Sequence, residues 1–461
     1  MKRSVPLFSV ICVALLCVPS HAQNPGPNIN MVSGTQWPGG DPFLQRQNEP
    51  SIGVSSRNPL HLMAGANDYR TVDLPGLPVG VTADGWLGLF KSLDGGQTWK
   101  STLLPGYPQD TSPEGTASGL KGYAAAADPS VRAGANGLFY YSGIAFNRGN
   151  NALGNLFVAR FIDNNDESAD PIQYLGTKIV ASGTTSQFID KPCLAVDIPR
   201  GGATKITLNG KTFAVGNLYL TYSVIQGTDP NIQTTIYVTR STDGGVTWSL
   251  PSKISQAISI NQGTAIAIDP ATGAVYVAWR RIKRLGAGGV VLEPDGLIVA
   301  KSVDMGRTFS FTNAVQINPF EQGTTPVSFR TTMYPTIAVD GSGRIYLAWA
   351  QAGVGPYGSA RILMVTSTNA TTWTTPVVVA PSTNGGHQFL PSLSFAAGKL
   401  MVLYYDQQQD GTVGQYAPIA GSGGLYTETR TAAGDLAATP PQPTKVFNQY
   451  LADAAPPSFV A

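Results

Sequence analysis

The chain has 461 residues, of which only 13% are charged, and it contains 52 glycines and 34 prolines. Val, Ile, Thr and Tyr are plentiful and no stretch has the spacing of an amphipathic helix, so the composition favours many short strands joined by turns. A formal net charge of +2 predicts no nucleic-acid partner, and three cysteines and three histidines supply neither a disulfide framework nor a zinc site.

Residues 1–22 have the pattern of an export signal. Lys2 and Arg3 precede the apolar run VPLFSVICVALLCV, and Ser20-His21-Ala22 provides small residues for a cleavage site. The run is short for a membrane span, and no other segment is typical of a transmembrane helix. We therefore expect a mature chain with 28 basic and 28 acidic residues. It would be secreted, periplasmic or part of the cell envelope.

From residue 49 onward the sequence repeats a unit with two halves. The first half has Pro-Ser/Thr, an apolar strand ending in Asp, a glycine turn and an aromatic-rich strand, as in YPTIAVDGSGRIYLAWAQ at 334–351. The second half is an apolar strand followed by Ser-x-Asp-x-Gly-x-Thr-Trp, as in KSLDGGQTWK at 91–100. The key position of this second motif is occupied by Asp94, Asp163, Asp243, Asp304 and Asn369, which are 69, 80, 61 and 65 residues apart.

Each unit supplies about four short strands, and LPSLSFAAGKLMVLYYD at 390–406 opens a sixth unit without the motif. A single four-stranded sheet cannot bury both of its faces, so the units must pack against one another. We therefore predict an all-β, six-bladed β-propeller of four-stranded antiparallel blades over residues 48–450. A lead segment at 23–47 would precede it, and a tail at 451–461 would follow it.

The repeated acidic residues are predicted to be structural rather than catalytic. Each one would lie in a tight turn between the third and fourth strands, where its carboxylate accepts backbone N–H groups of the turn. The glycines allow the positive φ that such a reversal requires, and the following Trp would pack between sheets.

The Ser-x-Asp-Gly-Gly-x-Thr-Trp motif at this periodicity resembles the Asp-box, or BNR, repeats of the sialidase superfamily, whose members are six-bladed propellers. The resemblance covers nearly the whole mature chain. It implies an exported glycoside hydrolase of the exo-α-sialidase type, acting on terminal acidic sugars of glycans. Asp-boxes also occur in propellers that bind without catalysis, so a non-catalytic propeller that binds glycan or an envelope protein is the alternative. A hydrolase or lyase for a neutral or uronic sugar is a third.

The resemblance also implies where the chemistry would lie. The loops that enter the first strand and leave the second strand of each blade share one face, opposite the motif turns. Sialidases hold the substrate carboxylate with arginines and use a Tyr nucleophile paired with a Glu, together with a separate acid. The implied catalytic residues are Asp73 as the acid, Tyr334 as the nucleophile and Glu321 as its base. The implied substrate-binding residues are Arg70, Asp68, Arg281, Arg330, Trp279 and Tyr405, with Asp68 as the alternative acid.

Two departures from the sialidase pattern limit this assignment. Sialidases begin with Phe/Tyr-Arg-Ile-Pro, whereas this chain has Gln47-Asn48-Glu49-Pro50 without the arginine. Tyr334 also occupies a repeat position that other units fill with Glu49, Asp128 and Lys191, as an ordinary blade residue would. We expect no cofactor and assign no metal site, and the sequence leaves the oligomeric state open.

Overall fold

The protein is nearly all β, which confirms the predicted class. The computed structural model describes residues 29, 31–32, 47–69, 84–149, 152–184, 186–227, 231–256, 259–321, 332–381, 383, 387–396 and 398–406, and the backbone of short strands after residue 415. Its helical elements within these residues are α1 (Pro113–Thr116) and three short 3-10 turns (Ala135–Gly137, Ala287–Gly289 and Pro356–Gly358). No helix in this part of the chain is long and apolar enough to cross a membrane. The expected export signal at 1–22 lies outside it.

The strands follow one another as four-stranded antiparallel meanders. The first meander consists of β1 (Asn48–Val54), β2 (Leu62–Asp68), β3 (Trp86–Ser92) and β4 (Lys100–Leu103). The second consists of β5 (Ala125–Ala133), β6 (Leu138–Phe146), β7 (Leu153–Asp163) and β8 (Ile172–Thr184). The third begins with β9 (Gln187–Val196), has an inserted hairpin of β10 (Lys205–Leu208) and β11 (Lys211–Ala214), and continues with β12 (Leu218–Gln226), β13 (Gln233–Ser241) and β14 (Ser252–Lys253).

Two further meanders and the start of a sixth unit complete this succession. The fourth begins with β15 (Ile260–Ile268) and β16 (Val275–Ile282), has an inserted hairpin of β17 (Arg284–Leu285) and β18 (Val291–Glu293), and ends with β19 (Gly296–Ser302) and β20 (Ser310–Gln316). The fifth consists of β21 (Thr336–Val339), β22 (Ile345–Gln351), β23 (Arg361–Ser367) and β24 (Val377–Val378). The remaining strands are β25 (Gln388–Ala396), β26 (Lys399–Asp406), β27 (Tyr416–Gly421), β28 (Gly424–Thr429), β29 (Gln442–Pro443) and β30 (Phe459–Val460).

Consecutive meanders pack face to face, because their middle strands are apolar on both sides. One buried cluster joins the first and second meanders and includes Trp86 and Tyr141. Equivalent clusters join the second to the third, the third to the fourth through Trp279, and the fourth to the fifth and the β25–β26 hairpin through Trp349. Each fully buried large side chain contributes about 1.5–3 kcal/mol relative to exposure. Stability of a meander therefore depends on its neighbours.

The first strands of successive meanders contact one another and share a backbone irregularity. Strands β1, β5, β9, β15 and β25 each carry a register shift against their partner strand, and at each shift one residue has a positive φ. These residues are Glu49, Asp128, Lys191, Gly263 and Leu390. We call the end of the meanders where they lie the rim face, and the opposite end the box face. The recurring bulge brings residues from distant repeats together at the rim face.

The turns of the box face contain the repeated acidic positions. Asp94 lies between β3 and β4, where its Oδ1 accepts the backbone N–H of Thr98 at 2.9 Å and its Oδ2 accepts the Thr98 hydroxyl at 2.6 Å. Asp243 and Asp304 accept the same two bonds from Thr247 and Thr308. These side chains therefore stabilise their own turns.

The other two positions differ in detail. Asn369 accepts the backbone N–H of Thr372 at 2.9 Å through its amide oxygen, so an uncharged side chain supports a similar turn. Asp163 is fully buried and turns toward the neighbouring meander, where it accepts the Ser55 hydroxyl at 2.5 Å and contacts His61 Nδ1 at 3.0 Å. It therefore links the first two meanders.

Candidate functional site

An ion network of three residues lies at the rim face. Glu49, Asp128 and Lys191 occupy equivalent bulge positions of the first, second and third meanders. The Lys191 ammonium donates to Glu49 Oε1 and lies 3.4 Å from Asp128 Oδ1. The side chains of Glu49, Asp128 and Lys191 are 35%, 11% and 19% exposed, so the network is mostly buried but remains accessible to solvent. In a chain with only 13% charged residues, three charges at one repeat position form a distinctive site.

Backbone groups and amides fix the geometry of this network. The backbone N–H of Lys191 donates to Asp128 Oδ2 at 3.1 Å, and the backbone N–H of Asp128 donates to Asn67 Oδ1 at 2.8 Å. The Asn67 amide in turn donates to Asn48 Oδ1 at 2.7 Å and to Glu49 Oε2 at 3.3 Å. The carboxyl groups are thus held by residues from three meanders, which restricts their rotamers.

The surroundings of Glu49 and Lys191 shift the pKa of each side chain. Burial raises the pKa of Glu49, and the nearby charge of Asp128 raises it further against the opposing effect of Lys191. Burial alone would lower the pKa of Lys191, but the carboxylates of Asp128 and Glu49 outweigh it and raise that pKa. Lys191 therefore stays charged, while Glu49 holds its proton to a higher pH than an ordinary glutamate. A carboxyl group with a raised pKa beside a second carboxyl group is suited to donate a proton.

Tyr334 precedes β21 of the fifth meander and packs against the fourth meander. Its ring packs on the bulge of β15, where a Cβ on Gly263 would be 1.9 Å from the ring. Its hydroxyl donates to Gln262 Oε1 at 3.2 Å. The sialidase resemblance implies a Tyr–Glu pair, and the contact of this hydroxyl within the described residues is with a glutamine. An amide oxygen accepts a hydrogen bond but does not remove the phenolic proton.

Glu321 pairs with a different residue of the same face. The guanidinium of Arg280, which is 2% exposed, donates through Nη1 to Glu321 Oε1 and through Nε to Asp295 Oδ1 at 2.9 Å. The Glu321 side chain remains 45% exposed. Arg280 therefore anchors one exposed carboxylate at the rim face.

The remaining predicted site residues differ from one another in burial and in their contacts. Arg281 is partly exposed and donates to Asn313 Oδ1 at 2.9 Å. Trp279 is 1% exposed and its Nε1 donates to Asn261 Oδ1 at 2.8 Å, so its ring belongs to the core and is not a platform for a sugar. Asp68 is fully buried, and Tyr405 stacks on Phe389 with ring centroids 5.7 Å apart. Arg70, Asp73 and Arg330 lie outside the described residues.

Sequence reasoning did not assign Glu49, Asp128, Lys191, Arg280 or Gln262 to the site. The signal for the first three was present as a run of charges at one repeat position. Their contact depends on the bulges and on the packing of meanders, because Glu49 and Lys191 are 142 residues apart. Within the described part of the chain, no group of three His, Cys, Asp or Glu residues is arranged to hold a metal ion.

Two shallow cavities lie elsewhere and contain none of these rim residues. One, of about 420 Å³, lies on the box face between Arg57, Asn164 and Lys211. The other, of about 380 Å³, lies between Ser252 and Phe311. We place the candidate site at the rim, since the residues able to exchange a proton meet there.

Comparison with known proteins identifies no family. No family model matches the chain, and no curated protein matches it. Among solved structures, a protein of unknown function from Dyadobacter fermentans is 15% identical, with a TM-score of 0.45 over 81% of this chain and 91% of that one. An α-L-arabinanase from Penicillium chrysogenum is 13% identical, with a TM-score of 0.44 over 82% and 94%. A Trypanosoma rangeli sialidase is 13% identical, with a TM-score of 0.40 over 79% and 52%. Similarity at this level specifies no activity.

Proposed function

We propose that the chain is an exported, six-bladed Asp-box β-propeller that hydrolyses glycosidic bonds of glycans at its rim face. The fold proposal is supported by five successive four-stranded meanders, by the β25–β26 hairpin that opens a sixth unit, and by the face-to-face packing of neighbours. The proposal for hydrolysis rests on one observation, the Glu49–Asp128 carboxyl pair held by Lys191.

Glu49 is assigned as the general acid. Its raised pKa keeps it protonated to a higher pH than an ordinary glutamate, and proton donation to the leaving oxygen is the step that glycoside hydrolysis requires of such a group. Asp128 and Lys191 are positioning residues, because they fix the Glu49 carboxyl and set its charge. The Glu49 and Asp128 side chains lie within hydrogen-bonding reach of each other, so they are closer than the roughly 5–9 Å between the paired carboxylates of glycosidases. They therefore act as one acid unit.

The second carboxylate must come from elsewhere on the rim face. Glu321 is the described candidate, since its side chain is exposed and its ion pair with Arg280 holds it in place. We assign it as the base that activates a water molecule. Tyr334 is assigned a role in binding the sugar rather than in attack, because its hydroxyl donates to an amide oxygen. Asp73, which the sequence predicts as the acid, is the alternative to Glu49 in this role.

The finer proposal concerns the sugar. Terminal acidic sugars, including sialic acid, require cations to bind the substrate carboxylate. Arg70 and Arg330 are the proposed cations, with Arg281 as the described one. The Glu49, Asp128 and Lys191 network brings no excess positive charge of its own, so acidic-sugar specificity depends on those arginines.

A non-catalytic glycan-binding propeller is the second candidate. The observation that favours it is the Tyr334–Gln262 contact, in which the tyrosine hydroxyl donates to an amide oxygen, a group that is not a base. Such a propeller would bind glycan through the same rim face, and its binding would not depend on a proton at Glu49.

The deciding experiment is a turnover assay on the purified protein. The substrates are nitrophenyl glycosides of an α-sialoside, an α-L-arabinofuranoside, a β-glucuronide and neutral hexoses, tested with wild type, Glu49→Gln and Asp128→Asn. Exposed Glu167 on the box face provides the matched control, Glu167→Gln. We expect product release by wild type and the control, and a loss of about 100-fold or more in Glu49→Gln. Binding to an oligosaccharide array without release of product would establish the second candidate instead, and full activity of Glu49→Gln would remove Glu49 from the site.

A further inference from the structure

The inserted hairpin of the fourth meander carries a cluster of exposed apolar side chains. Strands β17 and β18 connect the end of β16 to the start of β19, so the hairpin projects from the rim face. The cluster is 52–61% exposed and consists of Leu285, Val290, Val291 and Leu292. Four large apolar side chains in eight residues is an unusual density for a solvated loop.

Both faces of this hairpin are apolar. Leu285 is paired directly with Val291 across the two strands, so these side chains share one face. Leu292 is the extra residue at the register shift of this pair, and a Cβ on Gly286, the residue after Leu285, would lie 3.1 Å from its side chain, so Leu292 covers the face opposite Leu285. A hairpin that covers a protein core buries the side chains of one face and exposes those of the other face to water. Two apolar faces instead suit a tip that is surrounded by an apolar medium.

The base of the hairpin is cationic. Lys283 and Arg284 are exposed and form no ion pair with any residue that the structure describes. Glu293, opposite Arg284 in register, accepts the Ser259 hydroxyl at 2.6 Å. The sequence from 281 to 292 contains no acidic residue. An apolar tip next to a pair of cationic side chains is complementary to an anionic lipid surface.

We propose that the β17–β18 hairpin is a membrane-docking element that inserts its tip into the interfacial region of an anionic bilayer. Four residues of extended chain reach about 13 Å, which matches the roughly 5–10 Å depth of interfacial apolar groups. Lys283 and Arg284 then lie at the level of the anionic headgroups. Because the hairpin leaves the rim face, docking turns that face toward the membrane.

Vesicle flotation of the full chain tests the proposal. The vesicles contain equal parts of phosphatidylglycerol and phosphatidylcholine, or phosphatidylcholine alone. The tip variant is Val290→Ser with Leu292→Ser, and its matched control is Leu250→Ser with Val303→Ser, two apolar residues that are 89% and 79% exposed on the box face. The charge variant is Lys283→Gln with Arg284→Gln, with Lys253→Gln and Arg307→Gln as its control. Thermal midpoints of all variants verify that each is folded.

We expect wild type and both controls to float with the anionic vesicles, and the bound fraction to fall as salt is raised. The tip variant should bind at least tenfold more weakly, and the charge variant about fivefold more weakly for each cation removed. Absence of flotation by wild type, equal binding to neutral vesicles, or unchanged binding of the tip variant overturns the proposal. Tip-dependent dimerisation in light scattering without vesicle binding also overturns it, in favour of a second copy of this chain as the occupant.

Discussion

Asp163 provides a direct test of how neighbouring meanders are held together. The Asp163→Ala variant removes a fully buried carboxylate that accepts the Ser55 hydroxyl at 2.5 Å, contacts His61 Nδ1 at 3.0 Å and accepts the Asn165 N–H at 2.8 Å. Ser55 and His61 belong to the turn between β1 and β2 and are only 5% and 7% exposed. Their polar groups therefore cannot turn to bulk water when the carboxylate is lost.

The size of the effect follows from those two contacts. A buried polar group that loses its partner costs about 1–3 kcal/mol, whereas the Asn165 N–H is exposed and contributes little. The free energy of unfolding should therefore fall by about 2–5 kcal/mol, measured by urea denaturation. Adding His61→Ala should cost clearly less in the Asp163→Ala background than in wild type, because the pair acts as a unit.

The control for this prediction is Asp166→Ala, three residues away on the same turn. Asp166 is exposed and bonds Ser168, so its loss should change the free energy of unfolding by less than about 0.5 kcal/mol. Equal losses in Asp163→Ala and Asp166→Ala would refute the reasoning.

Three further predictions concern the rim and the box turns. Gly263→Ala places a Cβ 1.9 Å from the Tyr334 ring at a φ of +69°, so urea denaturation should show a loss of at least about 1–2 kcal/mol. The control Gly341→Ala, where a Cβ meets nothing within 4 Å, should not show this loss of stability. The Thr98 hydroxyl and N–H lower the pKa of Asp94 from 3.8 to about 2, so its carboxylate stabilises the fold above pH 3.8 and that stability is lost as the pH falls towards 2. Acid titration of Asp94→Asn should therefore show a smaller loss than wild type across that window, and an equal loss would contradict the assignment. Lys191→Met leaves two carboxyl groups in contact without their cation, which raises the Glu49 pKa further, so stability should fall more steeply than in wild type as the pH rises above 4.5. An unchanged slope would show that the network is not coupled.

Local contacts were accessible to sequence reasoning because they span only a few residues. Asp94 and Thr98 are four residues apart, so any chain with this motif can form the hydrogen bonds between them. The all-β class followed from composition and from the repeat, which both report short strands and frequent turns. These features require no knowledge of how one meander is placed against the next.

The rim site was beyond sequence reasoning because it depends on long-range placement. The pairing of Tyr334 with Glu321 came from resemblance and stays a prediction, while the contacts of Glu321 with Arg280 and of Tyr334 with Gln262 join residues that no local pattern relates. Trp279 was assigned to substrate binding because it stands near the end of the second strand of its unit. Its position in β16 instead points the ring into the core, where its Nε1 donates to Asn261. Adjacent residues of a strand face opposite sides, and one shift of register exchanges their roles.

The most direct test of Glu49 as a general acid compares two leaving groups. The wild-type enzyme and Glu49→Gln are assayed on the best glycoside with a dinitrophenyl leaving group, which departs without a proton, and with an alkyl leaving group, which needs one. Because the protonated form of Glu49 is active, wild-type kcat/KM on the alkyl glycoside should fall as the pH rises through the raised pKa of this residue. Glu49→Gln should lose about 100-fold or more on the alkyl glycoside and less than tenfold on the dinitrophenyl glycoside, and its pH dependence should disappear. Equal losses on both substrates, or no turnover of either by wild type, would contradict the assignment.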